Sequence, residues 1–562
     1  MAAGAFCLVL HGHLPWVLHH GRWPHGEDWL FEAATETWLP LLDVLDTLEG
    51  EGIRPGWTLG LMPILLEQLA HERFKSGFAE WLSGQVARAE SDAREFRERG
   101  ELHLAWLADR HAEHLGGQLE RFDAIERDLP GALGRHVESG AIGLLTSNAT
   151  HGYHPLILHD ACARAQVRAG VATTRRHFGF TPRAAWLPEC AYRDAGPWWP
   201  VAVHGDCRER EGVASLFARE GVTAFFVDTH LVHNATARSI VHGQTAYPVD
   251  PGQAGWDVQH AWRSELEPHR VVERGTLTDV TVLARCPDVS EQVWSGKIGY
   301  PGDPNYREFH KRHGYRGLHY WKISGSEVSL GDKDPYYPDD IPGVVSLQAD
   351  HFVSVVRQRL EAHHGAVDRY GIVCAPFDAE LFGHWWHEGP QFLLEVARRM
   401  HHDPAIDLLS VEDALARVPA DKAVSLPEGT WGAGGDHRVW LNDQLRGYWE
   451  VAYRCEDRFL DLWHRSSWRT DDEARELLTE AARQLLLVQA SDWPFVISTQ
   501  GAIDYGTRRI HDHAARFDDL CNGVEDRIQS PEGVRDPVVA STLERCRLLD
   551  PVFPDLDLNW WE

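Results

Sequence analysis

Residues 370–377, Tyr-Gly-Ile-Val-Cys-Ala-Pro-Phe, form an apolar run that stops at Asp378 and leads into the aromatic-rich stretch AELFGHWWHEG (379–389). A short run that is apolar at successive positions and ends in polar residues reads as a strand covered on both faces, as in a parallel sheet. Working outward, six more runs share this form: AFCLVL (5–10) before His11, GWTLGL (56–61), AIGLLTS (141–147), RAAWLP (183–188) before Glu189, TAFFV (223–227) before Asp228, and VTVLAR (280–285). Mostly helical or loop-like sequence separates them, and strands alternating with helices read as βα units around a parallel sheet. Seven strands predict an α/β fold, an incomplete (β/α)7 barrel. Barrel chemistry collects at the C-terminal strand ends, where His11, His13, Thr150, His151, Glu189, Asp228 and Asp378 fall.

Between the second and third runs, residues 64–139 are rich in Ala, Glu, Arg and Leu at helical spacing and predict a helical insertion. The barrel is expected to occupy residues 1–400. Beyond about 400 the β pattern stops, and segments such as 472–493 and 504–528 predict an all-helical C-terminal domain, 401–562, that contributes to the cleft. Pro427, Gly429, Gly432, Gly434 and Gly435 punctuate a joining loop that carries Trp431 and Trp440.

The 562 residues are ample for a large core plus a smaller domain. The formal net charge of −29 argues against nucleic acid and against an anionic membrane surface. No stretch reaches the roughly 18–20 apolar residues of a membrane span. The N-terminus has no basic region, and His11 and His13 interrupt its apolar run, so it does not read as a signal peptide. Nine cysteines scattered without C-x-x-C pairs predict reduced thiols and a cytoplasmic protein. The 24 tryptophans stand out. Indole N–H groups need partners, so this number suggests surfaces that recognise flat, partly apolar faces such as sugar rings.

Glu189 (WLPEC) and Asp378 (APFDAE) sit at strand ends beside aromatics. Glycoside hydrolysis commonly needs two carboxylates, one attacking the anomeric carbon and one moving the proton. Each could equally be a helix cap or an ion-pair partner, and spacing alone does not select them over Asp228 or Glu380. His11 and His13, two apart on a strand, suit a metal, so a metal-dependent hydrolase is a second reading. THGYHPL (150–156) adds His151 and Tyr153, and ASDWPF (490–495) adds Asp492 and Trp493. Tryptophans in a glycine-rich loop predict a flexible lid that stacks on a bound sugar chain.

LVLHGHLPWV, TSNATHGYHPLI, AAWLPECAYR, QVWSGKIGYPG, APFDAELFGHWWHEGP and LPEGTWGAGGDHRVWLN run in order through nearly the whole chain. Together they resemble glycoside hydrolase family 57 and, within it, the 1,4-α-glucan branching enzyme group. The resemblance implies a (β/α)7 barrel with a helical insertion and a helical C-terminal domain. It implies a retaining mechanism with no metal or cofactor and an α-glucan substrate such as amylose or glycogen; the oligomeric state, monomer or homodimer, is left open by the sequence. On the matching motifs Glu189 falls at the nucleophile and Asp378 at the general acid/base. His11, His13, His151, Arg285, Trp294, Trp431, Trp440, Asp492 and Trp493 fall at substrate-binding positions. An α-amylase or 4-α-glucanotransferase on the same scaffold is the nearest competitor, and a non-catalytic glucan-binding protein a more distant one. There are two departures. Gly143 stands where the family commonly has glutamate. The loop after strand five, where relatives often carry a tyrosine, places His242 nearby, with Tyr247 a few residues later.

Overall fold

The structure is a computed structural model describing residues 2–203, 205–242, 245–249, 263–295, 298–531 and 533–562. All seven sequence-predicted strands are present: β1 (Gly4–Gly12), β2 (Thr58–Leu61), β3 (Gly143–Thr146), β4 (Ala184–Ala185), β5 (Ala224–Val227), β6 (Thr276–Ala284) and β7 (Gly371–Asp378). They pair in parallel in the order β7-β1-β2-β3-β4-β5-β6. The ring closes weakly: between β6 and β7 an isolated bridge joins Arg285 to Cys374, with the Cys286 N–H donating to the Cys374 carbonyl at 2.9 Å. The incomplete (β/α)7 barrel is therefore the fold.

Burial follows from the sequence. Every residue of β7 up to Phe377 is buried, as expected where helices cover one face and barrel side chains fill the other. Helices Ile341–Val367 and Gly389–His401 flank β7 in sequence. Gly12, at the end of β1, has to be glycine because a Cβ there would lie 2.1 Å from the Trp38 ring.

Between β2 and β3, helices Pro63–Ala70, Glu72–Glu98, Leu102–Ala124 and Leu129–Glu138 fill the stretch with helical spacing. The two long ones run side by side. They are tied to the segment before β7 by His103 Nε2 on the Tyr336 carbonyl (2.8 Å), His111 Nε2 on the His319 carbonyl (2.9 Å) and Tyr320 OH on Asp92 (2.9 Å).

The boundary at 400 needs correcting, because strand pairing continues past it. Ile406–Leu408 pairs with β1, and Lys422–Ser425 pairs with the strand His269–Glu273, itself antiparallel to β6. Thr236–His242 and Thr245–Pro248 complete this extension. These strands are only three to seven residues long, and alternation cannot be read over so few positions. The helical part begins after Ser425 and is built on Arg446–Arg465, Asp472–Val488, Asp492–Ser498, Ile503–Gln529 and Pro537–Leu549. Arg509 donates to the Trp16 carbonyl (2.6 Å), His20 meets Asp550 (2.7 Å), Tyr453 OH donates to the Leu156 carbonyl (2.9 Å) and the Ser491 N–H to the His151 carbonyl (3.3 Å). These contacts press the tip carrying Ser491 and Asp492 onto the barrel mouth.

Candidate active site

Glu189 follows the two-residue strand β4, and the chain turns at once. Glu189 (φ 60°) and Cys190 (φ 48°) both adopt the left-handed conformation, as does His151 (φ 57°) after β3. Non-glycine residues held there cost of order 1–3 kcal/mol each, and such strain concentrates at functional sites. Asp378 ends β7 in register with His11. Both carboxyls face a cavity of about 530 Å³ at the C-terminal strand ends, together with His11, His13, His151 and Glu380.

The Glu189 carboxylate accepts the Trp431 indole N–H at 2.9 Å and lies 3.8 Å from His151 Nδ1. Burial raises its pKa to about 7, with Asp492 raising it further, while the Trp431 N–H and His13 oppose the shift. Burial, then the neighbouring Glu189 charge, raises Asp378 to about 8, with Arg285 opposing. The Glu189 charge thus acts on Asp378 and favours its protonated form. Burial also holds Glu380 well above the carboxylate range; one of its oxygens accepts the His13 backbone N–H (3.1 Å). Asp228 separates from this group. It is bound to Arg285 (2.7 Å) and the Thr229 N–H (2.6 Å), and its pKa is lowered.

The three histidines form one stack. His11 lies 4.4 Å from the Trp186 ring, His151 5.0 Å from His11, and His13 4.1 Å from His151, all within about 21° of parallel. His13 Nε2 binds both Asp492 oxygens at 2.9 Å, and His151 Nδ1 meets Ser491 Oγ at 2.8 Å. Burial, followed by the neighbouring imidazoles, depresses the pKa of His11 and His151 far below the usual value. Asp492 and Ser491 engage nitrogens of His13 and His151, and the three histidines are not among the described groups whose ligand atoms lie close enough together to share a metal ion.

Arg285, Trp294, Trp431, Trp440 and Asp492 all line the cavity. Two expectations fail. Trp493 is 1% exposed, donates to the Leu487 carbonyl (2.8 Å) and carries Arg509 over its ring; it is core, because Asp492 begins a helix whose next residue points inward. Nor are the loop tryptophans a free flap. Tyr192 and Gly429 exchange two backbone hydrogen bonds, and the Trp431 backbone N–H and the Thr430 hydroxyl donate to the Glu189 carbonyl at 3.2 and 2.6 Å. Trp440 is 1% exposed and stacks on Tyr153 at 4.9 Å. Loop sequence implies surface only when no long-range contact ties the loop down.

Sequence reasoning passed over Trp29, His384, Trp385 and Phe495, which also line the cavity. His384 and Trp385 lay in the quoted GHWW, and their clustering was the available signal. Of the two departures, Gly143 begins β3, where a Cβ would lie 2.9 Å from Ser410 Cβ. His242 lines a different cavity with Ala184 and Ala224, the first residues of β4 and β5. His242 and Tyr247 belong to the antiparallel hairpin at that opposite end, so the alignment to a loop over the site is wrong.

Two carboxyls of displaced pKa at strand ends, in a polar-walled cleft rimmed with indoles, define a glycosidase-type barrel site. The chain belongs to glycosyl hydrolase family 57, whose family model matches residues 7–427, and a model described as "1,4-alpha-glucan branching enzyme, C-terminal" matches residues 452–561. It is similar to a 1,4-α-glucan branching enzyme of Thermococcus kodakarensis, 36% identical over 520 residues, 92% of this chain and 73% of the relative. A probable 1,4-α-glucan branching enzyme of Mycobacterium tuberculosis is 31% identical over 91% of this chain and 90% of its own. Among solved structures, a GH57-type branching enzyme from Pyrococcus horikoshii matches with a TM-score of 0.88 at 33% identity, covering 100% of this chain and 97% of that one.

Proposed function

We propose that this chain is a retaining 1,4-α-glucan branching enzyme. The observation that carries the reading is the pairing of Glu189 with Asp378 across one cavity, with the Glu189 carboxylate held by the Trp431 indole. An α-1,4-glucan lies across the barrel mouth. Glu189, ionised, attacks the anomeric carbon while Asp378, protonated, gives its proton to the departing chain oxygen. A β-linked glycosyl-enzyme results. The C6 hydroxyl of a second chain then attacks, Asp378 takes its proton, and an α-1,6 branch forms with net retention.

Transfer in place of hydrolysis needs water excluded and the acceptor hydroxyl positioned. The indoles of Trp294, Trp431 and Trp440 supply apolar walls. Trp294 Nε1 and Trp440 Nε1 are buried with no partner among the described residues, donors that a sugar hydroxyl can satisfy. His13, fixed by Asp492, leaves its buried Nδ1 without a partner among the described residues. We place the protein in the cytoplasm, in keeping with nine free cysteines, eight of them buried. No described helix is long and apolar enough to cross a membrane.

The test is incubation with amylose, counting new α-1,6 linkages against new reducing ends. Linkages in excess support branching. Reducing ends without linkages would assign an α-amylase, and reshuffled α-1,4 chain lengths with neither a 4-α-glucanotransferase.

A further inference from the structure

A second cavity, about 220 Å³, lies between the insertion helices and the segment leading to β7. That volume is several times the roughly 30 Å³ share of one water. The two helices contribute Trp81, Gln85 and His111; the segment contributes Arg307 and His319, and the turn Ala34–Trp38 contributes Glu36. That turn is π-helical, a local distortion frequent at functional sites. Glu36 ties the two cavities together. Its carboxylate is bound by Arg307 at 2.7 Å and by His384 at 2.8 Å, and His384 lines the catalytic cavity.

The charges of this cavity are paired, Arg307 with Glu36 at 2.7 Å and Arg312 with Glu32 at 2.8 Å, and burial holds its imidazoles, His111, His114, His319 and His387, below their usual pKa. His111 Nε2 donates to the His319 carbonyl (2.9 Å), and His319 Nδ1 donates to the Lys311 carbonyl (3.1 Å). A neutral imidazole that donates through one nitrogen leaves the other as an acceptor, and burial keeps both rings far below their usual pKa. Gln85 Oε1 is buried with no partner among the described residues. Two ring nitrogens and Gln85 Oε1 are thus three acceptors of this lining, and the unpartnered amide oxygen is costly to leave dry. Because Arg307 and Arg312 are already paired with Glu36 and Glu32, a cation finds no unpaired counter-charge here. An anion would meet acceptor lone pairs and the Glu36 carboxylate. A neutral molecule carrying several O–H donors satisfies all three, and the Trp81 indole offers a face for its C–H groups.

We propose that this cavity is a second, non-catalytic site that takes one neutral pyranose unit, glucose or an end residue of an α-glucan. The α-glucan identity rests on the function proposed above; the polyol chemistry does not. The site has the recognition chemistry of the catalytic cleft, namely indole, neutral imidazoles and an Arg–carboxylate pair, without a pair of free carboxyls.

The test is calorimetric titration of glucose and of maltose into the full chain, the Gln85→Leu chain and the His111→Phe chain, with amylose turnover measured in parallel. Two classes of site in the parent, one of them weakened tenfold or more in both variants while amylose turnover stays unchanged, supports the proposal. Should His111→Phe lose its folded melting transition, Gln85→Leu alone decides. Binding in both variants identical to the parent overturns the second site and leaves the function intact. No binding of either sugar, combined with no turnover of amylose, overturns both.

Discussion

The two ends of the barrel treat their polar groups in opposite ways. At the N-terminal end Gly143 makes room for Ser410, whose hydroxyl caps the helix Val411–Arg417, and Thr58 Oγ1 accepts the Val411 N–H at 2.9 Å. At the C-terminal end Glu189, Cys190 and His151 sit in strained backbone, His11 Nδ1 and His151 Nε2 lack partners among the described residues, and two carboxyls are driven toward neutrality. One end is built for stability, the other holds groups poised for something absent. The difference teaches that strain and unmet hydrogen bonds locate the chemistry within a uniform scaffold.

The largest break in that contrast comes from removing the carboxyls. Asp378→Asn is expected to lower turnover on amylose by about 10²–10⁴-fold through loss of general acid/base catalysis, and Glu189→Gln by at least as much, with circular dichroism unchanged. Near-parental rates in either variant would falsify the assignment. Next is Trp493→Ala, which separates core from cleft. Deleting a buried indole costs about 3–5 kcal/mol, so the melting temperature should drop sharply; a loss of glucan affinity at unchanged stability would restore Trp493 to the cleft.

Trp431→Phe sharpens the contrast. It removes an N–H that favours the ionised Glu189, so the Glu189 pKa rises and the acidic limb of the kcat/KM profile moves to higher pH. In the parent that profile should peak near neutrality, between limbs set by the coupled pair at about 7 and about 8. The share of hydrolysis should also rise in Trp431→Phe. An unmoved limb, measured across pH 5–9 in steps of about half a unit, a fraction of the roughly one-unit effect of a 1.4 kcal/mol interaction, would remove Trp431 from its role.

A smaller effect concerns stability. Both carboxyls have folded pKa values above the unfolded ones, so the stability they contribute is present below about pH 4 and is lost as pH rises through about 7 to 8. Asp378→Asn should therefore melt higher than the parent at pH 9 and differ little at pH 4; equal melting at both would show the burial cost to be absent. The smallest effect belongs to the other end. Gly143→Ala crowds Ser410 and should cost about 1 kcal/mol while leaving turnover untouched; a change in the branching ratio would break the division between the ends.

Much of this was legible in the sequence. Seven apolar runs ending in polar residues gave the parallel strands, because each strand is covered on both faces and leaves no ambiguity of period. Glu189 and Asp378 were legible through their motifs. The short strands after 400 were not, since three or four residues carry no periodicity. Trp493 was misread because its neighbour Asp492 does face the cleft, and helix phase over two residues cannot be read from a list of motifs. The pinning of Trp431 was hidden because it depends on Thr430 and Gly429 reaching residues more than 200 positions away.

The central claim is that Glu189 carries the sugar. Incubating the Asp378→Asn chain with an activated α-glucosyl fluoride, quenching, digesting and sequencing by mass spectrometry measures it directly. The account predicts one glycosyl adduct, slow to decay, on the peptide containing Glu189. An adduct on Asp492 or Glu380, or release of inverted product with no adduct at all, would contradict it.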